Sequence, residues 1–219
     1  SLMKNKKLVL PLIFTVGIFI IVAAVFIIKK NMPCNDYMNL AEYYGESEKG
    51  YTVIAEENIN KNKALYEDGH IYLDDEFVSG VLNKRFYWDA NENLLIYTTA
   101  TSVIKAGLDS KTYDINKSSN TKDYVIAKLR GDKLYIALDF IKEYTALEYK
   151  TYKNPNRVVL TYKFGDKQKW VQADEEAKLR FEPSIKSRIL IDVKKKDKLR
   201  ILEENTDKSG FDKVLSESG

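Results

Sequence analysis

From Leu8 to Ile28 the chain reads LVLPLIFTVGIFIIVAAVFII, 21 residues without one charged side chain, bracketed by KNKK before and KK after. No other feature restricts the possible folds so strongly. Hydrocarbon offers no water to backbone N–H and C=O groups, so a single spanning segment must satisfy them internally as a helix. Such a helix is about 31 Å long at ~1.5 Å per residue, matching a hydrocarbon core of ~30 Å. A helix apolar all round is either buried in a soluble core or membrane-spanning, and the length of this one suits the second. A cleavable secretory signal is the competing reading. Its apolar region runs about 7–15 residues and ends on small residues, whereas this one is longer and stops at Lys29–Lys30. The run reads as an uncleaved transmembrane anchor, with the lipid bilayer as the partner of Leu8 to Ile28. Three lysines precede it and two follow, with Asp36 and Glu42 soon after. The positive-inside rule then makes the N-terminal tip cytoplasmic and places the bulk of this single-pass chain on the extracytoplasmic side.

Removing the anchor changes the meaning of the charge. The whole chain has 35 basic and 32 acidic residues, but five lysines and no acids fall within residues 1–30. The remainder is therefore slightly acidic, which argues against a nucleic-acid partner, since that needs a concentrated basic face. One cysteine, Cys34, cannot form an intrachain disulfide, and one histidine, His70, has no histidine or thiolate company. A disulfide scaffold and a His-rich copper or zinc centre are both excluded by these counts.

Residues 31–50 are polar and punctuated and read as a juxtamembrane linker, with room for one short helical turn. Strand-like patterning begins at Tyr51. A fixed, gapless offset of 63 residues then superposes Tyr72 on Tyr135, Phe77 on Phe140, Asn91 on Asn154, Asn93 on Asn156 and Thr98 on Thr161. Conservative matches join them, including Val78 with Ile141, Phe86 with Tyr149 and Leu95 with Val158. Each copy decodes as a strand, a helix and a two-stranded hairpin joined by ANEN or KNPN, where Asn and Pro supply turn geometry. Phe77, Val81 and Leu82 are expected to share the apolar stripe of the first helix. One such β-α-β-β unit has too little apolar surface to stand alone, whereas two can bury each other's faces.

Tyr72, Phe77, Val78, Phe86, Trp88, Asp89 and the Leu94–Tyr97 run occupy the places of a strand, a helix, a "veWd"-like strand and a hydrophobic strand. In this the chain resembles the copper amine oxidase N-terminal, or stalk, domain over roughly residues 51–163. The resemblance implies a scaffold module of cell-surface proteins. The oxidase chemistry itself needs a copper site of histidines and a quinone-forming tyrosine in an N-Y-[DE] context. Neither can be assembled from one histidine and the CNDYM sequence around Tyr37.

Residues 164–219 carry short strands at AKLRF, RILIDV, KLRILEE and FDKVLS with turn clusters between them, the spacing of a small barrel. LRFEPSIKS and VKKKDKLRIL resemble segments of a bacterial SH3-like domain. Its usual closing strand would come after Gly219, and without it an edge is left open. The fold class expected is therefore α+β: a transmembrane helix in residues 1–30, the linker at 31–50, a duplicated stalk domain at 51–163 and an incomplete all-β SH3-like barrel at 164–219. This series is similar to the region ahead of the catalytic barrel in some envelope glycoside hydrolases of family 18. That family's D-x-x-D-x-D-x-E motif is missing here, and a barrel of about 250 residues has no room.

No catalytic, cofactor-binding or metal-binding residue is expected in these residues. The acids Asp74, Asp75 and Glu76 suit the positive end of a helix. Arg130–Gly131–Asp132 reads as a hairpin turn, Lys194–Lys198 as a solvated hairpin, and His70 as a solvent-facing residue at a strand entrance. Alternation in RFYWD puts Phe86 and Trp88 on one face and Tyr87 on the other. Tyr87 and Trp170, the latter at the junction between modules, are the two ligand-contact candidates, with peptidoglycan or another glycan as the partner considered. The expected function is a non-catalytic, membrane-anchored envelope scaffold that positions a downstream, family 18-like hydrolase domain. A glycan-binding role through the SH3-like unit is the alternative.

Overall fold

The computed structural model describes residues 2–45, 50–163, 169–206 and 208–219, with side-chain surroundings from residue 14 onward apart from Thr206. Helix α1 (Leu2–Asn31) contains the apolar run. Phe14, Phe19 and Phe26 all face outward from it, and Phe14–Asn31 is long and apolar enough to cross a membrane. A short helix α2 (Leu40–Tyr44) follows, its start capped by the Asn39 side chain, which accepts from the Ala41 N–H.

The strands β1 (Gly50–Ala55), β2 (Asn58–Glu67) and β3 (His70–Asp74) lead into the helical turn α3 (Asp75–Phe77) and a π-turn at Val78–Leu82. Five strands then form a meander: β4 (Phe86–Asp89), β5 (Leu94–Thr98), β6 (Val103–Gly107), β7 (Thr112–Ile115) and β8 (Ser118–Thr121). The chain continues through β9 (Ala127–Arg130), β10 (Lys133–Ala137), α4 (Leu138–Tyr144), β11 (Leu147–Tyr152) and β12 (Arg157–Tyr162). A seven-stranded sheet of order β11-β12-β1-β2-β3-β10-β9 collects the remaining strands, and its β1–β12 pair is parallel.

Both copies thus have the expected β-α-β-β order, but they share their sheets unequally. Strands β3 and β10 lie side by side, with Ile136 opposite Leu73. The second copy's hairpin stays in that sheet, while the first copy's hairpin opens the five-stranded one. The two sheets and helices enclose one core. Its centre is Phe140 of α4, whose ring lies 6.5 Å from Phe86, 5.4 Å from Tyr113 and 5.1 Å from Tyr144. The first copy's hairpin therefore packs on the second copy's helix. Asn83 tightens this crossing by donating to the Tyr144 carbonyl at 3.0 Å and the Thr145 hydroxyl at 2.9 Å, which satisfies a carbonyl left open at the helix end.

Most matched positions keep their environment: Tyr72 and Tyr135, Phe77 and Phe140, Val78 and Ile141, and Leu95 and Val158 are all buried. Two expectations are corrected. Val81 does not join the apolar stripe but stands 56% exposed. The Asn83 N–H bonds back five residues to the Val78 carbonyl at 2.8 Å, and this wider turn packs Leu82 rather than Val81 against the core. The paired asparagines also fail to share a conformation: the left-handed residue is Asn93 in the first turn and Asn154 in the second. In the first turn Asp89 Oδ1 accepts from the N–H groups of Asn91 and Glu92. Its counterpart Tyr152 has no oxygen placed to do the same.

The C-terminal residues form β13 (Lys169–Gln172), β14 (Ala177–Arg180), β15 (Ile189–Val193), β16 (Lys198–Thr206) and β17 (Phe211–Ser216). These make one sheet of order β13-β16-β17 and a separate β14–β15 hairpin. The boundary expected at residue 164 lies outside the described residues. Within the segment read as a juxtamembrane linker, residues 34–38 are bonded to the C-terminal unit. The Cys34 N–H bonds the Ile185 carbonyl, Ile189 N–H bonds Asp36, and Met38 N–H bonds Ile189, all at 2.7–2.9 Å. Strand β15 has an unpaired edge, and this segment supplies the missing partners. The Tyr37 hydroxyl donates to Asp192 at 2.7 Å and accepts from Lys178 at 2.9 Å.

Candidate functional site

The first copy's helix start is organised by Asp74. Its Oδ1 accepts the Phe77 N–H at 3.2 Å, and its Oδ2 faces Lys63 at 3.4 Å and Lys133 at 3.6 Å. The acidic cluster is thus partly a helix cap, as its position suggested. The next carboxyl, Asp75, points elsewhere. It lines a cleft of about 370 Å³ with Ser79, Lys84, Phe86, Tyr87 and Trp88, closed at its base by Leu95 and Ile136. Burial raises the Asp75 pKa above the usual carboxylate value, and the neighbouring Asp74 and Glu76 charges raise it further. Ser79 Oγ donates to the Asp75 carbonyl at 2.9 Å, which fixes the π-turn over the cleft.

Alternation along β4 sends Phe86 into the core and leaves Tyr87 61% exposed, with Trp88 between these extremes. The cleft therefore offers an exposed aromatic ring, a carboxyl acceptor and an ammonium donor to a polar ring-shaped group. Among the described residues it contains no nucleophile paired with a base. Strand alternation alone exposes Tyr87, whereas Asp75, Ser79 and Trp88 join it only through the fold. Only the π-turn brings the helix start over β4, and the triplet Asp74–Glu76 offered no more than a dipole signal.

The two ligand-contact candidates are not brought together. Trp170 lies on β13 in the C-terminal unit, 42% exposed and opposite Arg200 in register. Arg200, itself buried, pairs with Glu56 between β1 and β2. Arg200, paired with Trp170 across β13–β16, therefore lies at the junction between units. Lys213 with Glu57 at 3.2 Å and Arg157 with the Ser218 carbonyl at 2.7 Å complete this junction, and the Arg157 guanidinium lies 4.6 Å from the Tyr44 ring centre. A second opening of about 400 Å³ runs between β14–β15 and β16–β17, with Leu179, Phe181, Leu190, Val214 and Leu215 among its walls. The Tyr43 ring stands edge-on to Phe181 at 6.1 Å at one end.

His70 is corrected as well. It is half-buried rather than solvent-facing, with Nδ1 3.3 Å from Asp139 Oδ2 and its ring 5.1 Å from Tyr124. Arg130–Gly131–Asp132 is the expected hairpin turn, with Gly131 at φ +64° and Arg130 paired to Glu67 at 2.6 Å. Among the described residues, no three His, Cys, Asp or Glu side chains converge in a way that could hold a metal ion.

Two sheets closing around paired helices, with the same β-α-β-β order used twice, define an internally repeated α+β packing module. Residues 53–161 match the family model of the copper amine oxidase N-terminal domain, and this part of the chain is such a domain. No curated protein and no solved structure matches the chain significantly.

Proposed function

We propose that the chain is a non-catalytic, membrane-anchored segment of the cell envelope that positions a downstream domain on the extracytoplasmic side. A glycoside hydrolase family 18-like domain is the cargo that the sequence resemblance favours. The observation that carries this reading is the docking of the C-terminal unit at both ends of the chain before it. Lys186 Nζ donates to the carbonyls of Lys29, at 2.6 Å, and Met32 at the exit of α1, while Arg200, Lys213 and Ser218 engage the repeated domain. A flexible tether needs no such contacts, and a positioning device does. The test is to reconstitute the full chain in vesicles and assay two properties. It should resist extraction by alkaline carbonate and release no product from glycan substrates. Extraction with carbonate or turnover of any glycan would refute it.

The opening between β14–β15 and β16–β17 supports a second reading, a cell-wall or polysaccharide-binding module acting through the SH3-like unit. Retention of the full chain on purified cell wall, lost on Phe181→Ala, would favour it. Absence of retention would remove it.

A further inference from the structure

The loop joining β14 to β15, residues 181–188, is held against the exit of α1 by three contacts, with a fourth from Arg180 at the end of β14. Lys186 Nζ donates to the Lys29 and Met32 carbonyls, Cys34 N–H bonds the Ile185 carbonyl at 2.7 Å, and Arg180 Nη1 bonds the Cys34 carbonyl at 2.8 Å. The loop is also internally braced. Glu182 N–H bonds Ser187 Oγ at 2.8 Å, Lys186 N–H bonds Ser184 Oγ at 3.1 Å, and Phe181 N–H bonds the Arg188 carbonyl at 3.0 Å. At its tip Ile185 is 42% exposed, and Met32, whose carbonyl accepts from Lys186, is 54% exposed.

We infer that this loop is a second membrane contact, seating Ile185 and Lys186 in the headgroup layer of the leaflet from which α1 emerges, with a preference for anionic phospholipid. The inference rests on reading α1 as membrane-spanning. The apolar run stops at Ile28, so the Lys29 and Met32 carbonyls lie about 2–6 Å beyond the hydrocarbon edge at ~1.5 Å per residue. The headgroup layer is about 5–7 Å thick on each side. A side chain bonded to both carbonyls is confined to that layer. Lone exposed isoleucines are ordinary on protein surfaces. This one is fixed where an apolar side chain meets acyl chains and a neighbouring ammonium meets phosphate. Lys29, Lys30 and Lys186 put three cations at this level, against Glu182 in the loop, with Arg188 and Asp36 beyond it. That excess of positive charge is what selects anionic headgroups.

The test uses the full chain with Cys34→Ser as background and single cysteines carrying an environment-sensitive fluorophore. The labelled positions are Phe19→Cys in α1, Ile185→Cys and Pro183→Cys in the loop, and Val81→Cys, which is exposed on the repeated domain. Each protein is reconstituted in phosphatidylcholine vesicles, with or without phosphatidylglycerol, containing nitroxide lipids. The label at 19 should be quenched by acyl-chain nitroxide, those at 185 and 183 by headgroup nitroxide, and the label at 81 by neither. Phosphatidylglycerol should strengthen quenching at 185, and Lys186→Glu should weaken it by about five-fold while leaving position 19 unchanged. Quenching at 19 with loop labels that behave like position 81 would overturn the loop contact alone. No quenching at 19 would remove the anchor reading and the loop contact with it. Loop quenching indifferent to phosphatidylglycerol and to Lys186→Glu would overturn the anionic preference.

Discussion

Replacing Phe140 tests whether the two copies hold each other together. The side chain is 1% exposed and touches three other rings: Phe86 from the first copy's hairpin, Tyr113 from the meander and Tyr144 from its own helix. Deleting a buried phenyl group costs about 3–5 kcal/mol through lost burial and the cavity left behind. Ring pairs at these distances add roughly 0.5–1.5 kcal/mol each beyond their area, though not independently. Phe140→Ala should therefore fall at the upper end, about 4–5 kcal/mol. Phe140→Leu, which keeps most of the volume and loses the ring pairs, should cost about 1–3 kcal/mol. Phe77, the matched residue of the first copy, is similarly buried, but its alanine variant should cost about 1–2 kcal/mol less, because it is not the centre of the ring cluster. Urea unfolding of the full chain in detergent, followed through the partly buried Trp88, measures all three. Domains of this size have about 5–15 kcal/mol in hand, so Phe140→Ala should leave a marginal protein with a clearly lower midpoint. A cost below about 2 kcal/mol, or one no greater than that of Phe77→Ala, would refute the cross-packed centre.

Three further outcomes are expected. Glu148 is held down to a pKa of about 2 by hydrogen bonds from Lys142 and Lys163. Its contribution to stability is present above its ordinary value of 4.5 and is lost as pH falls toward 2, so Glu148→Gln should flatten the acid limb of stability against pH; an unchanged limb would contradict the pairing. Burial pushes the Tyr144 and Tyr149 hydroxyls up to about 12. Stability should therefore hold below pH 10 and decline from there toward 12, and tyrosinate absorbance of the folded chain should show the delayed ionisation. Arg200→Ala removes the cation facing Glu56. Because Glu56 is partly exposed, the loss should be modest, about 1–2 kcal/mol, and should be read as faster proteolytic release of the C-terminal unit; an unaltered rate would show that the junction is held elsewhere.

Local patterning revealed those parts of the fold that local physics decides. Both copies' strands and the second copy's helix follow from apolar periodicity, and the Gly131 turn follows from glycine chemistry. Strands β2 and β8 carry no clear alternating apolar signal, because Asn58–Lys63 and Ser118–Thr121 are mostly polar, and β6 and β7 are likewise not among the strands read from the sequence. The parallel β1–β12 pair joins residues about a hundred positions apart and cannot be inferred from any window. The π-turn reversed Val81 because one extra residue per turn is a tertiary choice, made by packing Leu82. At the cleft, Tyr87 was visible from β4 alone, whereas Asp75 required knowing where the helix start would lie. The docking of Cys34–Met38 depended on an open strand edge that only the assembled C-terminal unit creates.

The parallel pairing of β1 with β12 has a mechanical consequence. Four residues of β1, Thr52 to Ala55, are in register with Arg157 to Leu160, and these strands are the first and last of the domain. Once the docked segments have let go, tension would enter at the head of β1 and leave at the tail of β12, sliding the two strands past each other lengthwise. All the rungs between them would then share the load at once instead of unzipping in turn, so a chain stretched from its two ends in optical tweezers should show this domain yielding at higher force than the C-terminal unit.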